Sequence, residues 1–166
     1  MSDNQNLPAV NDQSPVVIND DSAGGYISTT IDSFTGRTVQ FYSSIPDDGT
    51  AETKIKIYNA MSEATGKLVD QLNRTLVLTD LVASPIQFLS EETGELVDAV
   101  RMVVFTEDGE TYTAVGKGIL SSIQNIIGLF GPAPWKPGIP VTPVKKATKN
   151  GFDTTILRMV ANPSKK

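Results

Sequence analysis

The chain has 166 residues and a formal net charge of −5, room for one domain plus an appendage. It contains no cysteine and no histidine. This excludes disulfides, thiolate zinc sites, cysteine nucleophiles and every catalytic arrangement that needs an imidazole.

The charge is unevenly spread. Residues 1–53 carry eight acidic groups against one basic, residues 54–110 ten against five, and residues 111–166 one against eight. An acidic front and a basic end suggest an electrostatic partner for the last third, although terminal lysines also serve solubility alone. The polar start, residues 1–6, lacks the apolar core of a leader. The longest uncharged stretch, residues 118–135, is broken by Gly128, Gly131 and Pro132 and is too polar to cross a bilayer. The expected location is cytoplasmic.

Residues 1–25 read as a disordered acidic tail, rich in Asn, Asp, Gln and Ser, with residues 16–18 the one apolar piece. Residues 26–31 and 38–42 alternate in the manner of strands around a turn at Gly36, which predicts a β-hairpin. Pro46 to Gly49 breaks the chain, so residues 26–50 form an N-terminal hairpin and linker. Its Phe34, Arg37, Phe41 and Tyr42 could form a second nucleic-acid patch, but read rather as structural, an oligomer arm.

A main domain is expected over residues 51–161. Lys54 to Tyr58 alternates as a short strand, and residues 59–72 are weakly helical, interrupted by Gly66. Residues 75–88 form a long β-rich run, with Pro85 at a bulge or an edge. Residues 96–106 and 111–115 follow as strands, joined across Asp108-Gly109. The period then changes: Ile119, Leu120, Ile123, Ile126, Ile127 and Phe130 recur every three or four residues, which predicts a helix from Lys117 to Phe130 stopped by Gly131-Pro132. After a Pro/Gly-rich loop holding Trp135 and Lys136, a last hairpin spans residues 139–147 and 152–160 across Asn150-Gly151. Pro140 and Pro143 are expected to weaken its pairing. Residues 162–166 are a basic C-terminal tail. Three strands, a helix and two strands is the order of an OB-fold-like five-stranded barrel, so the fold is expected to be mainly β.

No phosphate-cradling loop is present. Gly116-Lys117-Gly118 lacks the upstream half of such a motif. The carboxylates Glu91, Glu92, Glu95, Glu107, Asp108 and Glu110 read as solvated turn charges. The chain is expected to be a non-enzyme with no metal and no cofactor.

A single strand of nucleic acid binds where cations follow phosphates and rings stack on bases. On an OB-fold that surface is the face of strands two and three with the adjoining loops. The candidates there are Arg101, Phe105, Tyr112, Lys117, Trp135, Lys136, Lys145, Lys146, Lys149 and Arg158. Phosphates would meet the cations, and bases would stack on Phe105, Tyr112 or Trp135. Equally, Phe105 and Tyr112 could be core, Trp135 a lid on the barrel, and the lysines ordinary surface.

Lys54-Ile55-Lys56-Ile57-Tyr58-Asn59-Ala60 and the run from Glu107 to Val115 carry a resemblance. So do Lys117-Gly118-Ile119, Ser122-Ile123, Phe130-Gly131 and Trp135. Through these residues the segment from Lys54 to about Val160 resembles the single-stranded DNA-binding proteins of tailed phages. The resemblance implies sequence-independent coating of single strands during phage DNA replication or recombination. It also implies replication or recombination proteins as further partners, no membrane, and a place in the infected host cell. The alternative is a phage structural or β-rich protein-interaction module that binds no nucleic acid, which the acidic front and negative net charge would equally suit.

Overall fold

The computed structural model describes residues 16–17, 26–46 and 48–161. Two long strands organise it. β5 (Leu76–Leu89) and β6 (Leu96–Thr106) pair antiparallel from Leu89↔Leu96 down to Leu78↔Thr106. Alternation sends Leu81, Met102 and Val104 to one face and Val82, Val103 and Phe105 to the other. Both sets are buried, each in its own apolar cluster.

The remaining strands extend this pair into one nine-stranded sheet. β7 (Thr111–Val115) joins β6, and the two-residue β4 (Gly66–Lys67) pairs parallel with β7. The opposite edge of β5 serves two partners. β3 (Thr38–Ser43) takes Val82 and Ala83, while β8 (Ile139–Ala147) takes Leu76 to Leu78. β9 (Asp153–Met159) lies on β8, β2 (Tyr26–Ile31) on β3, and β1 (Val16–Val17) on β2. The turns expected at Asp108-Gly109 and Asn150-Gly151 form, with Gly109 at φ 86° and Gly151 at φ 81°.

Several expectations are corrected. Val16–Val17, read as part of a disordered tail, is a strand. The rest of the acidic tail apart from this pair, and the basic tail at 162–166, lie outside the described residues. Lys54 to Tyr58 is not a strand but the middle of helix α1 (Ala51–Ser62). The capping decides it: the Thr50 hydroxyl oxygen accepts the Thr53 N–H at 3.3 Å, and Asp48 holds the Thr50 hydroxyl at 2.6 Å. Ile57, Ala60 and Met61, three and four residues apart, then pack on Val82, Val103 and Phe105. The helical character expected to run on to residue 72 ends at Ser62, and a 3-10 turn at Leu68–Asp70 replaces the rest. Thr50→Ala is expected to cost about 1 kcal/mol, read as a lower urea midpoint at unchanged slope.

Pro143 does not disrupt the last hairpin, and Pro140 lies just beyond its paired residues, which on β8 run from Val141 to Ala147. Pro140 stands opposite Val77 and Pro143 opposite Leu157. The Pro143 carbonyl accepts the Asn73 N–H at 2.8 Å. In a strand N–H and C=O point the same way, so the missing Pro143 N–H faces away from β9. Pro85 sits on a stretch of β5 with a single partner strand, as at an edge, but the bulge is elsewhere, between Leu78 and Asp80.

The barrel is not closed, because both edges that would have to meet are already occupied. β7 carries β4. β9 carries helix α2 (Lys117–Phe130): the Leu157 N–H donates to the Ser122 hydroxyl at 3.0 Å rather than to a strand. Gly118 permits this approach, since a side chain there would overlap the Thr155 carbonyl and the Thr154 hydroxyl. Ile119, Ile123 and Ile126 of α2 complete the main core with Leu68, Leu78, Tyr112 and Leu157.

Candidate nucleic-acid interface

Four of the eight basic residues of the last third converge on one end of the molecule. Lys145 stands opposite Thr155 and Lys146 opposite Thr154, and Lys149 occupies the turn between β8 and β9. Thr154 and Thr155 in turn abut Gly118, so Lys117, the first residue of α2, joins the same end. All four lysines are exposed, and none is paired with a carboxylate among the described residues. Phe152, beside the turn, is 72 % exposed. The turn is braced by the Thr148 N–H and hydroxyl, which both donate to the Phe152 carbonyl, at 2.8 and 2.7 Å.

The three rings named from the sequence are placed differently. Phe105 lies under α1 with Ile57 and Ala60, the Lys56 ammonium 5.7 Å from its ring centre. Tyr112 is 1 % exposed. Its hydroxyl donates to the Glu110 carboxylate and accepts from Arg74 at 3.1 Å. Burial, and then the bond to Glu110, push that phenol above its ordinary value, so it stays protonated as the donor. Trp135 is 3 % exposed in the main core. A ring needs an open face to stack on a base, and none of these three offers one in this conformation.

The face of β6 and β7 expected to be open is roofed by α1. Arg101 stands on that face, half-buried, with its guanidinium donating to the Met61 carbonyl at the end of α1. Lys136 and Arg158 are exposed but lie towards the other end of β9, beside Trp135 and Met159. Of the turn carboxylates, Asp108 braces its own turn: the Thr106 hydroxyl holds it below the usual carboxylate range, and it also accepts the Glu110 N–H at 3.4 Å. No group of acidic residues among the described residues could hold a metal ion, and none of the described helices is long and apolar enough to cross a membrane.

The family model for phage single-stranded DNA-binding proteins matches residues 35–160. The chain belongs to this family of phage single-stranded DNA-binding proteins. No curated protein and no solved structure matches it. Single-stranded DNA is therefore its partner, and the question becomes which surface receives the strand.

Phe152 lies on the hairpin the sequence points to, whereas three other exposed rings, Tyr58, Phe88 and Phe130, were not legible as candidates. Tyr58 is 69 % exposed on α1, one turn after Lys54. Phe130 is 52 % exposed at the end of α2. The Thr50 cap with Asp48 two residues before it was the available signal for Tyr58, because it marks a helix start and thereby puts Tyr58 off the face formed by Ile57, Ala60 and Met61.

Proposed function

We propose that the protein coats single-stranded DNA without regard to base sequence, through the β8–β9 hairpin and the start of α2, during phage DNA replication or recombination in the host cytoplasm. The carrying observation is the convergence of Lys117, Lys145, Lys146 and Lys149, none paired with a carboxylate among the described residues, around the exposed ring of Phe152. The lysines meet phosphates and the ring stacks on a base, a combination that tolerates any sequence because every base has a π-face and phosphates carry no sequence information. Residues 51–161 are the binding domain on this reading. The strand order and the double use of β5 by β6 and β8 support an OB-like ancestry for the open sheet.

The test is a titration of oligo(dT) and of a mixed-sequence oligonucleotide across salt. If each of the four lysines meets one phosphate, log Kobs falls against log salt with a slope of about −3, equally for both sequences. Absence of binding at about 50 mM salt, where the counterion contribution is large, would return the chain to the structural or protein-interaction alternative.

A further inference from the structure

DNA binding leaves one surface unexplained, at the end of β5 away from the lysines. Two hairpins project there side by side, β2–β3 turning between Ile31 and Thr38, and β5–β6 turning between Leu89 and Leu96. The ladder between them stops at Tyr42↔Ala83. Leu81 shows which groups of β5 face β3: its N–H donates to the Ser44 hydroxyl and its carbonyl accepts the Ser44 N–H, both at 2.9 Å. Facing alternates along a strand, so Ala83 faces β3 too, and then Pro85, which has no N–H to carry the ladder on. Beyond it the N–H and C=O groups of Gln87 and Leu89 face outward, with no partner strand among the described residues.

An unpaired edge is a template for another chain, and natural proteins blunt it with charge or proline. Past Pro85 this edge is unguarded, and it exposes Phe88 at 45 % and Leu89 at 63 %. Its two sides differ. Alternation sets Val39 and Phe41 of β3, Ile86 and Phe88 of β5, and Val97 and Ala99 of β6 on the α1 side, all apolar. The other side carries Gln87 and Asp98, joined at 2.8 Å, and a cleft of about 290 Å³ at its root, between Tyr42 and Pro85. Residues 84–99 hold four carboxylates, Glu91, Glu92, Glu95 and Asp98, and no cation, a charge that repels DNA.

We propose that the β5 edge at Gln87 and Leu89 receives an extended segment of another protein, one that alternates apolar and basic residues. Added as a strand, such a segment sets its apolar side chains against Ile86 and Phe88 and its cations beside Asp98 and the acidic turn. Neither the front of this chain nor a second copy offers that chemistry. Residues 1–15 carry Asp3 and Asp12 and no cation, and Lys145 and Lys146 belong to a strand already paired with β9. The docked segment and DNA do not compete for space, because β8 runs from Leu78 past Leu76 and carries its lysines beyond the far end of β5. The site is separate from the DNA-binding reading and stands or falls without it.

The probe is a fluorescein-labelled peptide of four Val-Lys repeats, read by anisotropy against the full chain, with four Val-Glu repeats as control. The Val-Lys peptide is expected to bind at least about 10-fold more tightly than the control. Glu91→Gln, Glu92→Gln and Glu95→Gln together should remove about 10-fold of its affinity, the combined effect of three exposed ion pairs. Saturating peptide should slow hydrogen exchange at the Gln87 and Leu89 amides by at least about 10-fold. The Ile86 and Phe88 amides, which already face β6, should exchange as before. Gln87→Pro deletes one outward donor without touching the β5–β6 ladder, and is expected to weaken the peptide by about 5–10-fold. Urea midpoints check that both variants fold, and if Gln87→Pro does not, the exchange rates and the Gln variant decide. No binding, equal binding of the two peptides, affinity unmoved in either folded variant, or unprotected Gln87 and Leu89 amides each overturn the proposal. A peptide that binds only once residues 1–15 are removed would make this chain's own front the occupant, and self-association lost in Gln87→Pro would make it a second copy. Either result overturns the proposal as well.

Discussion

Trp135→Ala is expected to lower folding stability by about 3–5 kcal/mol and to leave DNA affinity per folded molecule unchanged. The ring fills the main core, and its two polar groups tie three elements together. The indole N–H donates to the Gly131 carbonyl at 2.9 Å, just past the end of α2. The backbone N–H donates to the Thr79 carbonyl at 2.8 Å, the residue left over at the β5 bulge. Removing the side chain leaves a cavity between α2, β5 and β8 and strips the Gly131 carbonyl of its donor. Trp135→Phe should cost less, about 1–3 kcal/mol, chiefly for that unpaired carbonyl. Urea unfolding followed by far-ultraviolet circular dichroism measures both variants. In the wild type, where this is the only tryptophan, DNA should leave its fluorescence unquenched. A Trp135→Ala protein that keeps its stability but loses binding would mean that the ring leaves the core to meet a base.

The strands and α2 were legible because their signals are long. Residues 96–106 and 111–115 alternate between turn-forming residues, and the apolar stripe of Lys117–Phe130 repeats over four turns. The α1 segment was not legible by period, since Lys54-Ile55-Lys56-Ile57 is short enough to suit a strand or a helix, and the cap at Thr50 had to decide. Closure of the barrel was illegible for a different reason: it turns on contacts distant in sequence, Gly118 against Thr155, Ser122 to Leu157, and Gly66–Lys67 beside β7. The cations of the proposed surface could be read directly, because a lysine without a partner goes to solvent. The rings could not. Alternation places Phe105 opposite in facing to Val104, but it does not say which face is covered, and here α1 covers the second one.

Replacing Lys145, Lys146 and Lys149 together by Ala is expected to weaken binding to single-stranded DNA by at least about 100-fold at 50 mM salt. Each phosphate neutralised on a single strand contributes about 0.7 to the slope of log Kobs against log salt. Three lost contacts therefore flatten the slope by about 2. Extrapolated from 1 M to 50 mM salt, that slope alone is worth between two and three decades of affinity, on the order of 100–1,000-fold. Near 1 M salt the two proteins should bind almost alike, because the lost term vanishes there. Stability should stay within about 0.5 kcal/mol, as for surface substitutions away from caps and cores, since all three side chains are exposed and unpaired among the described residues. Phe152→Ala separates the two halves of the surface. It should lose about 1–3 kcal/mol of binding if the ring stacks on a base, and leave the salt slope where it was. The decisive reading is thus the slope: a triple variant with wild-type salt dependence would place the phosphates on another face, with Lys54 and Lys56 beside Tyr58 on α1 the next surface to test.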